Sequence, residues 1–167
     1  MIPLTDSRKR GLGKIHANNT RHLRPGGWVE FGDIEPTIHP TSGPPPFLTR
    51  FLNLLTDNFS PRYCWSPHVT ATLPSLLASQ GFTSISTRRE KLPLGPFTGA
   101  TKREREVGYY MQHIMEGLVS SVLARWKELG LEEDESKALA EGVGDELRDP
   151  NVGGYLHWSF VWAQRAS

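Results

Sequence analysis

Leu23-Arg24-Pro25-Gly26-Gly27-Trp28-Val29-Glu30-Phe31-Gly32-Asp33-Ile34-Glu35 decides the fold. Pro25 fixes its own φ and pushes Arg24 out of helical geometry, so a helix before it must stop. Gly26 and Gly27 permit a sharp turn. Trp28, Val29, Phe31 and Ile34 then form an apolar run of strand-type side chains, as expected of a strand covered on both faces. The run ends in Gly32, Asp33 and Glu35. In an open α/β sheet the carboxyl ends of parallel strands are where ligands bind, which makes Asp33 and Glu35 candidate contacts. Glu30, inside the strand, needs a partner if buried and reads as a hydrogen-bonded structural residue.

Working outward, residues 1–20 are polar, carry Arg8-Lys9-Arg10 and Lys14, and show no hydrophobic period; they read as a flexible basic arm. Gly11-Leu12-Gly13-Lys14 lacks a preceding strand, and His16 stands where a dinucleotide fingerprint needs glycine. Residues 15–23 read as the last turns of a helix. Beyond the strand, Pro36 to Pro46 reads as a stiff proline-rich loop. Phe47, Leu48, Phe51, Leu52, Leu54 and Leu55 make a helical stripe ending near Asn58. Ser66 and Pro67 open the next helix, with Val69, Leu73, Leu76 and Leu77 facing inward, a kink at Pro74 and a stop at Gly81. Phe82 to Thr87 alternates as a strand, which Arg88-Arg89-Glu90-Lys91 continues into solvent. Leu92 to Thr101 reads as a loop. From Lys102 a long helix buries Val107, Tyr110 or Met111, Ile114, Leu118, Val122, Trp126 and Leu129, and Gly130 ends it. Glu132 to Val143 is a shorter helix, broken at Asp149-Pro150. Gly153-Gly154 then releases a last strand, Tyr155 to Gln164, whose His157 and Trp158 read as packing residues.

The chain has 167 residues and 37% hydrophobic residues, enough for one domain. The net charge of +1 gives no reason to expect nucleic acid or a membrane as partner. Cys64 is the single cysteine, which excludes an internal disulfide framework and fits a reducing compartment; it reads as an inert thiol. The 6 histidines and that cysteine show no metal-ligand spacing, so no metal is expected. A cytoplasmic or nuclear protein is the expectation.

The opening stretch, followed in order by Pro93-Leu94-Gly95-Pro96-Phe97, Val107-Gly108-Tyr109-Tyr110, Glu146-Leu147-Arg148-Asp149-Pro150 and Phe160-Val161-Trp162-Ala163-Gln164, resembles the C-terminal half of fungal LaeA-like class I S-adenosylmethionine-dependent methyltransferases. The resemblance spans roughly residues 20 to 166. It implies an α/β fold, a partial Rossmann-like sheet made of that family's strands five to seven with a helical lid, and a link to fungal secondary metabolism. It implies S-adenosylmethionine as cofactor. Yet the family's Gly-x-Gly first strand and the acid that ends its second strand are not found, and a βαβ unit alone takes about thirty residues. The expectation is therefore a truncated methyltransferase-like domain over residues 21–167 with the cofactor-binding half missing.

The resemblance also places the long helix at the substrate-side lid. Tyr109 and His113 become candidate substrate contacts beside Asp33 and Glu35, with His113 the candidate proton acceptor. The expected partners are a small-molecule metabolite or a protein. A fifth strand without its fourth neighbour leaves an apolar edge, through which a homo-oligomer or hetero-complex is expected. Two other readings stand beside the enzyme: a non-catalytic partner-binding or regulatory module, and a cofactor-free protein acting on a small hydrophobic metabolite.

Overall fold

Three strands carry the β-branched and aromatic runs: β1 (Trp28–Pro40), β2 (Phe82–Leu94) and β3 (Gly154–Arg165). The computed structural model describes residues 23–41, 43, 45–63 (backbone alone for 59–63), 67, 69–97 and 99–167. The expected arm, the glycine pair at 11 and 13, Cys64 and the Ser66 cap lie outside them.

The sheet has the order β1-β3-β2, with the last strand in the middle. Pairing is antiparallel: the Gly26 N–H donates to the Arg165 carbonyl at 3.0 Å, and the Thr41 N–H donates to the Gly153 carbonyl at 2.9 Å. β1 and β2 therefore point the same way. The expected loop from Pro36 to Pro46 is corrected, because β1 continues through Pro36 to Pro40. Likewise β2 runs on to Leu94 and takes in Pro93. Both strands are outer strands of the sheet, where a residue with no N–H can be accommodated. The central strand β3 contains no proline.

Four α-helices are described: α1 (Pro46–Tyr63), α2 (Val69–Ser79), α3 (Lys102–Leu123) and α4 (Glu133–Arg148). A short 3-10 turn, Trp126–Leu129, follows α3 and closes on Gly130 at φ 71°. The long helix thus ends six residues earlier than its hydrophobic period predicts. Among the described residues no helix is long and apolar enough to cross a membrane.

The chain divides into two compact units. The first takes the described residues up to Ile34, then Phe59–Arg89 and Trp158–Ser167. Its core is Leu73 and Leu77 of α2 with Phe82, Val161 and Ala163 of the strands, edged by Val29, Phe31, Val69 and Ile85. The helical spacing of Val69, Leu73, Leu76 and Leu77 is borne out here. Strand cover on both faces is not: Trp28, Glu30 and Gly32 are exposed, Trp28 by 53%, while Val29 and Phe31 face the core. The run alternates in burial because successive side chains of a strand point to opposite faces, and Val29 and Phe31 are on the face that meets Leu73 and Leu77 of α2.

The second unit takes Glu35–Asn58 and Glu90–His157. Helix α3 begins on a capping box, in which the Thr101 hydroxyl accepts from the Glu104 N–H and the Glu104 carboxylate accepts from the Thr101 N–H. Its buried face is Met111, Met115, Val119 and Val122. Of the alternatives Tyr110 and Met111 it is Met111 that is buried, while Tyr110 is 69% exposed; Ile114 and Leu118, which the period assigns to the core, are 59% and 38% exposed. The helix carries two adjacent apolar stripes, and sequence spacing alone does not say which one turns inward.

Backbone approaches backbone closely in this unit. Gly95, at φ +74°, lies where a Cβ would meet the Leu147 carbonyl oxygen at 2.3 Å. A Cβ on Gly108 of α3 would meet the Gly95 carbonyl oxygen at the same 2.3 Å. Glu146, near the end of α4, accepts from the Phe47 and Leu48 N–H groups at 2.9 and 2.7 Å and so caps α1 across 98–99 residues of sequence. A buried Ser136 hydroxyl donates to the Leu123 carbonyl at 3.0 Å, tying the start of α4 to the end of α3.

Burial along β3 changes parity. Gly154 and Leu156 are buried in the second unit, and Ser159, Val161 and Ala163 in the first.

Candidate functional site

The extension of β1 moves the carboxyl end of the strand. Asp33 and Glu35 sit mid-strand, not at its end as the sequence suggests. Asp33, in the first unit, is half-buried, and its Oδ1 accepts from the Ile34 N–H at 2.8 Å. Burial pushes its carboxyl above the usual value, and that hydrogen bond pulls the other way. Glu35 belongs to the second unit, half-buried and engaged with a partner.

Tyr109 and His113 do meet. One turn apart on α3, their rings lie 4.4 Å between centroids at 45°, and Tyr110 adds an edge contact to Tyr109 at 6.0 Å. All three are on the exposed side of the helix, Tyr109 by 54%. There the imidazole and the phenol can stack on or hydrogen-bond a bound molecule.

A second cluster lies toward the carboxyl ends of β1 and β2, which run in the same direction on either side of the antiparallel β3. His39 of β1 stacks on Tyr155 of β3 at 5.1 Å and 16°. His157 lies 4.4 Å from His39 and 5.3 Å, edge-on, from Tyr155. Lys91 of β2 places its Nζ 4.5 Å from the centre of the Tyr155 ring, a cation–π contact. The row thus crosses all three strands, β1-β3-β2, within the second unit. The three rings are half-buried and Lys91 is exposed. The site joins two imidazoles, a phenol and an ammonium, groups that donate hydrogen bonds to anions. Sequence reading does not reach it, because the proline-rich stretch around His39 reads as a loop and Lys91 as a strand end in solvent. The signal present was Tyr155 and His157 at strand spacing, on one face of β3.

Gly26, Gly27 and Gly95 are engaged within the fold. Gly26 and Gly27 precede β1 and are taken up in pairing: Gly26 accepts from Gln164 Nε2 at 2.9 Å, and the Arg165 N–H donates to Gly27 at 2.8 Å. Gly95 is closed in by the Leu147 carbonyl. A Gly-x-Gly turn that admits a sulfonium nucleoside must leave its backbone open and lead into a helix N-terminus. Gly26, Gly27 and Gly95 therefore do not form such a turn. Among them, no group of three or more His, Cys, Asp or Glu is arranged to hold a metal ion. No family model, no curated protein and no solved structure matches this chain.

Proposed function

We propose that this chain is the acceptor-side part of a LaeA-like methyltransferase-type domain, and that it does not itself bind the methyl donor. The sheet order supports the reading. β1, which carries the Pro-Gly-Gly-Trp resemblance, is an outer strand, with β3 and then β2 on one side of it. The family's last two strands stand to its fifth in that way, and its fourth would take the other side. In this reading the acceptor, a metabolite, binds at the carboxyl ends of β1 and β2, and this chain contributes binding and orientation. Tyr109 and His113 line its approach from α3, with His113 able to accept a proton from a hydroxyl.

Calorimetric titration of the folded chain with S-adenosylmethionine tests the first half of the proposal. No saturable heat is expected; micromolar binding would overturn it. Tyr109→Ala and His113→Asn should then weaken binding of an acceptor found by metabolite screening.

A partner-binding module is the second reading, favoured by Trp28, Tyr110 and Ile114, which are each more than half exposed. Capture of a protein partner that is lost on Trp28→Ser and kept on Tyr109→Ala favours it over acceptor binding.

A further inference from the structure

We propose that the sheet face around Glu30, in the first unit, binds the head group of a small quaternary ammonium metabolite of the choline kind. The inference stands on that face itself and does not depend on the methyltransferase reading.

Side-chain alternation builds the site. Val29 and Phe31 of β1 and Val161 and Ala163 of β3 pack with Leu73 and Leu77 of α2. The residues that alternate with them, Trp28, Glu30 and Gly32 on β1 and Trp158, Phe160 and Trp162 on β3, therefore stand on the opposite face. Trp158 and Phe160 stack there, 5.2 Å apart at 21°. Both lie over Gly32, where a Cβ would meet Trp158 Nε1 at 3.1 Å and the Phe160 ring at 3.4 Å. This contact sets the register. In antiparallel pairing, a step of two residues back along β1 brings Glu30 level with Phe160 and Trp162, and the next step brings Trp28 level with Trp162 and Gln164. Beyond it, Gln164 Nε2 donates to the Gly26 carbonyl at 2.9 Å, in agreement with that register.

Charge selects the ligand. Glu30 is exposed, and among the described residues none makes an ion pair or a side-chain hydrogen bond with it. Arg165, further along β3, donates to the Leu23 carbonyl instead. Around the carboxylate, Trp28 is 53% and Trp158 38% exposed, so indole surface is open to a ligand. A carboxylate attracts a cation, and the negative face of an indole favours a cation with a weak hydration shell. A quaternary ammonium meets both demands, since it carries a fixed charge and has no N–H that needs a hydrogen-bond acceptor. A metal ion or a primary ammonium holds water that aromatic rings do not replace. One carboxylate among indoles matches one head group, and the paired strands fix its position before the ligand arrives.

The test is NMR of the indole N–H signals while the full chain is titrated with choline. Saturable shifts of Trp28 and Trp162 are expected, with a Kd of about 1 mM. A dimethylbutanol that has carbon in place of the choline nitrogen should bind about tenfold more weakly. Equal affinity for the two would show apolar contact without recognition of charge and would overturn the proposal. Glu30→Gln should weaken choline binding about fivefold. It alters an exposed side chain, so it still tests the site if a change at Trp28 disturbs folding. Trp28→Leu keeps an apolar side chain without the indole and should weaken binding about threefold. Glu141→Gln removes an exposed carboxylate from α4 and should leave binding unchanged. Tighter binding of a trimethyllysine peptide than of choline would make the partner a modified protein and overturn the metabolite assignment. Shifts that never saturate, or that fall equally in Glu30→Gln and Glu141→Gln, overturn the site itself.

Discussion

In the second unit, main chain packs on main chain: Gly95 fits between Gly108 of α3 and the carbonyl of Leu147, and Glu146 holds the first N–H groups of α1. Among the described residues of the first unit, Leu73 and Leu77 of α2 pack on Phe82, Val161 and Ala163 of the strands, side chain on side chain. The two kinds of packing differ in what they tolerate. Apolar side chains can shift rotamer or repack after a small substitution. A carbonyl at 2.3 Å from a would-be Cβ cannot shift without moving the strand or helix that carries it. The first unit should thus be plastic and the second brittle.

The sharpest way to break this contrast is a pair of glycine substitutions. Gly95→Ala, clashing and left-handed, should cost about 3–5 kcal/mol. Gly81→Ala, at φ +81° with nothing within 4 Å, should cost only the left-handed strain of about 1–2 kcal/mol. Urea unfolding of both variants decides it, and equal losses would remove the distinction. Next, Glu146→Ala frees two N–H groups at the start of α1 and should cost about 1–2 kcal/mol. Limited proteolysis should then cut first within α1, and unchanged cleavage would show that the cap is dispensable.

The smallest effect is electrostatic and lies in the first unit. Asp33 holds its proton more tightly folded than unfolded, because burial disfavours its charge. The stability this gives is fully present below its ordinary value of 3.8 and is lost as pH rises through the raised folded value. Asp33→Asn should therefore match the parent in acid and melt slightly higher than it at neutral pH. A difference in Tm that shrinks as pH rises would contradict this sign.

Helix α2 was legible from sequence because its leucines repeat on one stripe and Gly81 ends it. The last strand was legible from Gly153-Gly154 and its aromatic alternation. For α3 the start was readable and the inward face was not, since Tyr110-Ile114-Leu118 and Met111-Met115-Val119 have the same spacing. Only packing against its neighbours chooses between them. The ends of β1 and β2 were hidden by Pro36 and Pro93, because proline is a strand breaker except at a sheet's margin, and the margin is a property of the fold. The His39 cluster was hidden for the same reason. Its members come from three strands, and no local pattern joins positions 39, 91 and 155 before the strands are paired.

Those two prolines also bear on self-association. A strand arriving at either side of the sheet finds a rung with no hydrogen to share, at Pro36 on one margin and at Pro93 on the other. An added strand can zip along part of β1 and must then stop or bulge. Growth by stacking copy upon copy into a fibril is interrupted at every copy, whereas a short, specific pairing over the Trp28 half of β1 is left open. The same sequence element that disguises the strand also limits how far the sheet can propagate.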